Sequence, residues 1–134
     1  MALKGSCLCG AVTYEVDRLG PIGHCHCHTC RKAHAAAFAT TARAERSAFR
    51  WCSGESLLGQ FESTPGKLRH FCTRCGSHLM AHWVHEAQVI VRVATLDDDP
   101  GVRPVAHIWM ADAVPWLAYG DDLPTYDHAA PRTA

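Results

Sequence analysis

Cys7-Leu8-Cys9-Gly10 near the N-terminus, read together with Cys72-Thr73-Arg74-Cys75-Gly76 in the middle of the chain, decides how this protein is held together. Each stretch places two thiols across a tight turn, and each is followed by glycine, which supplies the backbone freedom a metal knuckle needs. Four thiolates make a closed tetrahedral shell, the donor set of a structural zinc site. The pairs are far apart in sequence, so one ion would cross-link the N-terminal region to the middle of the chain. Four inert buried cysteines is the rival account, and it fits poorly with a CxC and a CxxC that both run into glycine.

A second constellation reads Cys25-His26-Cys27-His28-Thr29-Cys30. Three thiolates at this spacing can hold another zinc and leave a fourth position for water or substrate, which is how a catalytic zinc differs from a structural one. Thr29 is expected to cap a helix running through Cys30-Arg31-Lys32-Ala33-His34-Ala35-Ala36-Ala37, and a helix start favours the thiolate form of Cys30. Alternatively, the alanines fill a tight gap under a sheet. Two other accounts of the cluster stay open: His24, His26, His28 or His107 closes the shell, or the thiols form a metal-free redox cluster. Cys52 has no partner at short spacing and reads as an ordinary, partly buried cysteine. His78, His82 and His85 alternate with apolar residues and suggest a solvent-facing or pocket-lining strand rather than a metal site.

The rest of the composition narrows the setting. At 134 residues, 48% hydrophobic and 19% charged, the chain has the make-up of one globular domain. Lys plus Arg and Asp plus Glu balance at 13 each, and Arg43, Arg46, Arg50, Lys67, Arg69 and Arg74 are scattered, so nucleic acid is not expected as a partner. Met1 to Gly5 contain no apolar leader, and runs such as Gln88-Val89-Ile90-Val91 are too short for a bilayer, so a cytoplasmic location and no membrane partner are expected. There, eight cysteines point to metal rather than disulfides, and the CxC pairs would make strained bridges.

The remaining pattern is mostly β. Val12, Tyr14 and Val16 alternate with Thr13 and Glu15; Lys67 to Phe71 and Leu79 to Trp83 alternate likewise. Val89 to Val93 is a β-branched run, and Ala106 to Met110 reads as one more strand. Breakers at Gly20-Pro21, Pro65-Gly66, Asp98-Asp99-Pro100-Gly101 and Val114-Pro115 separate these pieces. Residues 1–125 are expected to form a single zinc-binding domain, with 126–134 a loose tail.

Taken in order, Gly5-Ser6-Cys7-Leu8-Cys9-Gly10-Ala11-Val12-Thr13-Tyr14, Cys25-His26-Cys27-His28-Thr29-Cys30-Arg31-Lys32 and Pro65-Gly66-Lys67-Leu68-Arg69-His70-Phe71-Cys72-Thr73-Arg74-Cys75-Gly76-Ser77-His78-Leu79 resemble the glutathione-dependent formaldehyde-activating enzyme family. His107-Ile108-Trp109, Pro115-Trp116-Leu117 and Gly120-Asp121 are similar to its closing segment. The resemblance implies a β-tent fold, mainly β, of antiparallel sheets pinned by zinc, with one short helix. It implies structural zinc at Cys7, Cys9, Cys72 and Cys75, and a second, catalytic zinc at Cys25, Cys27 and Cys30. The named activity joins glutathione to formaldehyde as S-hydroxymethylglutathione, a carbon–sulfur lyase reaction in reverse. The family's founding enzyme is longer than this chain, and many relatives carry glycine where this chain has Ala35.

The expectation is therefore a zinc-dependent enzyme acting on a thiol adduct of a small aldehyde, with about two Zn2+ per chain. Its partners would be a small thiol such as glutathione and the aldehyde, with Arg31, Lys32 or a histidine meeting a substrate carboxylate; a homodimer through a sheet edge is open. The rival functions are a zinc-stabilised binding module, presenting Trp83, Trp109 and Trp116, and a thiol redox sensor.

Overall fold

The structure is a computed structural model that describes residues 2–132. It is mainly β. Strands β1 (Leu3–Ser6), β2 (Thr13–Val16) and β5 (Phe49–Ser53) make a small antiparallel sheet in the order β1-β2-β5. The other strands are β3 (Ile22–Cys25), β4 (Ala39–Glu45), β6 (Leu58–Thr64), β7 (Lys67–Cys72), β8 (His78–Trp83), β9 (Gln88–Arg92) and β10 (Pro104–Ile108). They form one sheet in the order β10-β3-β4-β9-β8-β7-β6. All its pairs are antiparallel except β10 with β3, which is parallel because β10 crosses back from the far side of the chain to reach that edge.

The alternation of Val12, Tyr14 and Val16 puts these residues on the inward face of the small sheet, where all are buried. They meet Ala44, Leu79, Met80, Val89 and Val91 from the large sheet, and this layer is the main hydrophobic core. Each Val or Leu in it contributes roughly 1.5–3 kcal/mol through burial. Tyr14 stacks on Phe49 at 5.1 Å between ring centroids, and its hydroxyl reaches Thr95 Oγ1 at 2.6 Å, so the one polar atom carried inward is satisfied.

Two expectations about local structure change. The helix, α1, spans His28–His34, and its cap is Cys27, whose Sγ accepts from the Cys30 N–H at 3.3 Å. Thr29 lies inside the first turn. The helix ends earlier than the alanine run suggested because Ala35 adopts a left-handed conformation, φ 50° and ψ 45°. The first part of the tail expected to be loose is tied down: Trp109, Met110 and Ala111 donate backbone hydrogen bonds to His128, Tyr126 and Asp127. Thr133 and Ala134, with Met1, lie outside the described residues. No helix among the described residues is long and apolar enough to cross a membrane.

Candidate functional site

Two cysteine groups come together. The first joins the β1–β2 turn of the small sheet to the β7–β8 turn of the large one, bringing Cys7, Cys9, Cys72 and Cys75 to within 4.8 Å of one another. The glycines closing both turns, Gly10 at φ 80° and Gly76 at φ 82°, lie in the left-handed region that a side chain resists. Their amides bond back to the Cys7 and Cys72 carbonyls at 3.0 and 2.7 Å, and Leu8 N–H donates to Ser77 Oγ across the two turns at 2.9 Å.

Sulfur separations test whether these residues suit a metal. Cys7 to Cys9 is 3.6 Å and Cys9 to Cys72 is 3.9 Å, far beyond a disulfide of about 2.05 Å. Tetrahedral zinc with Zn–S bonds of about 2.3 Å places sulfurs about 3.8 Å apart, so the four thiols already have the spacing of that shell. Cys75 is held low, at about 5, by hydrogen bonds from the Ser77 hydroxyl and backbone N–H, which favours the thiolate a metal needs.

The second group is Cys25 at the end of β3, Cys27 at the helix cap and Cys30 in α1, again within 4.8 Å of one another. Among the described residues no histidine or carboxylate joins them, so His24, His26, His28 and His107 do not close the shell. Cys27 takes the negative charge most readily: the Cys25 and Cys30 thiols stabilise it first, then the Thr29 hydroxyl and the Cys30 N–H. The same proximity pushes the Cys25 thiol up. Behind the cluster stands Arg69, fully buried, donating to Ser63 Oγ and Thr29 Oγ1 at 2.8 Å each and to Cys30 Sγ at 3.7 Å. Thr29, accepting from Arg69, turns its own proton to Cys27 Sγ at 3.4 Å.

The histidines serve elsewhere. His26 and His107, both buried, bond to each other at 2.8 Å through Nε2 and Nδ1. The Asp121 carboxylate can only accept, so His107 Nε2–H donates to it at 3.1 Å, His26 Nε2–H donates to His107 Nδ1, and the Tyr119 hydroxyl donates to His26 Nδ1 at 3.2 Å. This chain of bonds docks the C-terminal segment onto the backbone between Cys25 and Cys27. Burial, followed by the nearness of His107, holds His26 at about 4, so it stays neutral. His82 is buried and bonds His70, and His78 lines a groove beside Thr29. Cys52 is exposed rather than partly buried, bonded to Glu15 at 3.3 Å.

Cys25 and Cys30 open onto a groove of about 590 Å³ that Lys67 and Arg92 also line, with Ile90 and Ile108 as apolar walls. Arg31 and Lys32, the cations expected beside the cluster, are absent from its lining; Lys32 faces a second groove with Arg69. Sequence reasoning missed Arg69 and Arg92 as site residues because they sit on strands 23 positions apart. The one signal available was Arg92 closing the otherwise apolar run Val89 to Val91; Arg69 stands between Leu68 and His70 in a mixed strand and gave none.

The chain as a whole has known relatives. A family model described as glutathione-dependent formaldehyde-activating enzyme matches residues 2–112. This chain belongs to that family. A Halomonas elongata protein, provisionally named a glutathione-dependent formaldehyde-activating enzyme, is 29% identical over 127 residues, covering 87% of this chain and 80% of its own. A crystal structure of a Rhodobacter sphaeroides protein superposes with a TM-score of 0.62 at 30% identity, covering 75% of this chain and 91% of that one.

Proposed function

We propose that this chain catalyses reversible carbon–sulfur bond formation between a small thiol such as glutathione and a small aldehyde such as formaldehyde. The observation that carries the reading is the three-thiol cluster, which has no fourth protein donor among the described residues and opens onto a groove. Cys25, Cys27 and Cys30 would hold a zinc ion there, and Cys7, Cys9, Cys72 and Cys75 would hold a structural one. The open zinc would supply a Lewis-acidic position that takes a thiol as thiolate or polarises an aldehyde oxygen.

In the addition the thiol gives up its proton, sulfur bonds to the carbonyl carbon, and a proton ends on the former carbonyl oxygen. The reverse step is a lyase reaction. The chain's own part is to hold the donors and exclude water. Arg69 and Thr29 orient Cys27, and the Tyr119–His26–His107–Asp121 chain keeps the segment between two of the thiols in place. Ile90 and Ile108 give the groove its apolar walls. Exchange NMR of glutathione with formaldehyde tests this: the wild type should speed exchange at least about tenfold over Cys27→Ser, a barrier change near 1.4 kcal/mol. Equal rates would remove formaldehyde from the proposal.

A binding module is favoured by one feature, the exposure of Trp116 at 73% beside the exposed Leu117. A protein partner recovered stoichiometrically, with no dependence on the Cys25/Cys27/Cys30 cluster or on small thiols, would move the reading there.

A further inference from the structure

The strands of the large sheet carry a charge pattern that thiol chemistry alone leaves unexplained. Arg92 is 4% exposed, yet its Nε and Nη2 have no partner, and Arg69 is 1% exposed with Nη1 unpartnered. Three more unpartnered buried atoms are Arg31 Nε on α1 and, on rings whose centroids lie 4.9 Å apart, His34 Nε2 and His78 Nδ1. Orphaned buried donors cost roughly 1–3 kcal/mol each, more when charged, so their clustering marks a place built for a ligand. Among the described residues no carboxylate makes an ion pair with Arg69, Arg92 or Lys67, whereas Arg43 on the same face is matched by Glu86 at 2.6 Å.

The cysteines do not absorb this charge once metallated. Three thiolates with one divalent ion leave a single negative charge, against two guanidiniums and the Lys67 ammonium. Arg92 and Lys67 line the groove that exposes Cys25 and Cys30, so the surplus faces the space where a fourth ligand would enter. Arg69 is already committed to Ser63, Thr29 and Cys30, which leaves Arg92 as the free fork. A guanidinium with two open N–H edges suits the planar, bidentate geometry of a carboxylate.

Resting on the thiol reading above, we infer that Arg92, flanked by Lys67, is the binding residue for a carboxylate of the thiol substrate. The site therefore selects carboxylated thiols over neutral ones. Arg92 carries no role in metal binding; it fixes where the thiol lies relative to Cys25 and Cys30.

The test uses cobalt-substituted protein, whose visible absorption reports sulfur entering the open position without turnover. Glutathione and its diethyl ester share the thiol and differ in their carboxylates. The wild type should bind glutathione at least about tenfold more tightly than the ester, and this preference should shrink with rising salt. Arg92→Met should reduce the preference to within about twofold while the cobalt spectrum of the resting protein and binding of the ester are retained. If Arg92→Met does not fold or loses cobalt, Lys67→Met decides, with an expected fall in the preference of about threefold. Equal binding of the two thiols by the wild type overturns the carboxylate site and leaves the thiol reading standing, as does an undiminished preference in the deciding variant. Failure of both thiols to perturb the cobalt spectrum overturns the thiol reading, and the inference with it.

Discussion

The two thiol clusters are built from the same side chain and sit in opposite surroundings. Cys7, Cys9, Cys72 and Cys75 are held by two turns on different sheets, each closed by a left-handed glycine, with Val12, Leu79 and Met80 packed around the buried pair. Cys25, Cys27 and Cys30 come from one short stretch; they pack in a small apolar cluster with Ala39 and Ile108, and Arg69, Arg92 and Lys67 stand beside them. On the proposed function, a four-donor set that staples two sheets would serve the fold, and a three-donor set beside cations without ion-pair partners would keep a position for substrate. Local charge and the number of donors would then separate the two roles, given identical ligand atoms.

The sharpest way to break this contrast is to remove one thiol from each. Cys72→Ser deletes a fully buried donor that links the sheets, and it should cost at least about 3 kcal/mol, near 10 °C in Tm. Cys27→Ser should lower Tm by no more than a few degrees, because its cluster joins residues already close in sequence. Calorimetry of the two variants decides, and the reverse order would dissolve the distinction. Metal analysis of protein purified without oxygen should give about two zinc per chain, falling to about one in Cys27→Ser.

A smaller effect sharpens the electrostatic half of the comparison. Burial, then the charge of Arg92, holds His34 at about 3 in the folded protein, whereas an unfolded histidine titrates near 6.5. Well above pH 6.5 both states are neutral and the full stability is present. As pH falls through the window toward 3, the unfolded chain takes the proton first and stability is lost. His34→Gln should therefore flatten the decline between pH 7 and 5.5 by on the order of 1 kcal/mol after solvent screening. Parallel denaturation curves for the two proteins would mean that His34 is not held neutral by burial and the neighbouring Arg92 as described.

The smallest effect concerns the end of α1. Ala35 holds φ 50°, a conformation costing roughly 1–2 kcal/mol for a side-chain-bearing residue. Ala35→Gly relieves it while loosening the unfolded chain, so a net gain of about 0.5–1 kcal/mol, or 2–3 °C, is expected by calorimetry. A loss would mean that the Ala35 methyl packs against the cluster's helix.

Much of this was legible beforehand, and the reasons are local. The CxC, CxxC and CxCxxC spacings announce metal donors because thiols two or three residues apart can meet one ion without help from the fold. Val12, Tyr14, Val16 and the run Val89 to Val91 became core strands because alternation and β-branching act within a few residues. Strands β1, β3, β4, β5 and β6 went unread: Ala39 to Glu45 is small or polar, Leu58 to Thr64 carries only Leu58 and Phe61 as large apolar residues, and both become strands through pairing with β9 and β7. The cap of α1 was misplaced by two residues because a cysteine sulfur, rather than the expected threonine hydroxyl, took the amide.

By itself the sequence determined the candidate donors, their grouping into a far-apart four and a contiguous three, and the β character of the chain, since spacing and periodicity are short-range properties. Only the tertiary structure decided which charges face the three-thiol cluster. Lys67, Arg69 and Arg92 are scattered along the chain and gather on one face of the large sheet through strand register. It also decided that His26 and His107 satisfy each other, leaving the second cluster with three protein donors. Hydrogen-bond partners and counter-charges are set by distances between strands remote in sequence, and composition carries no record of those distances.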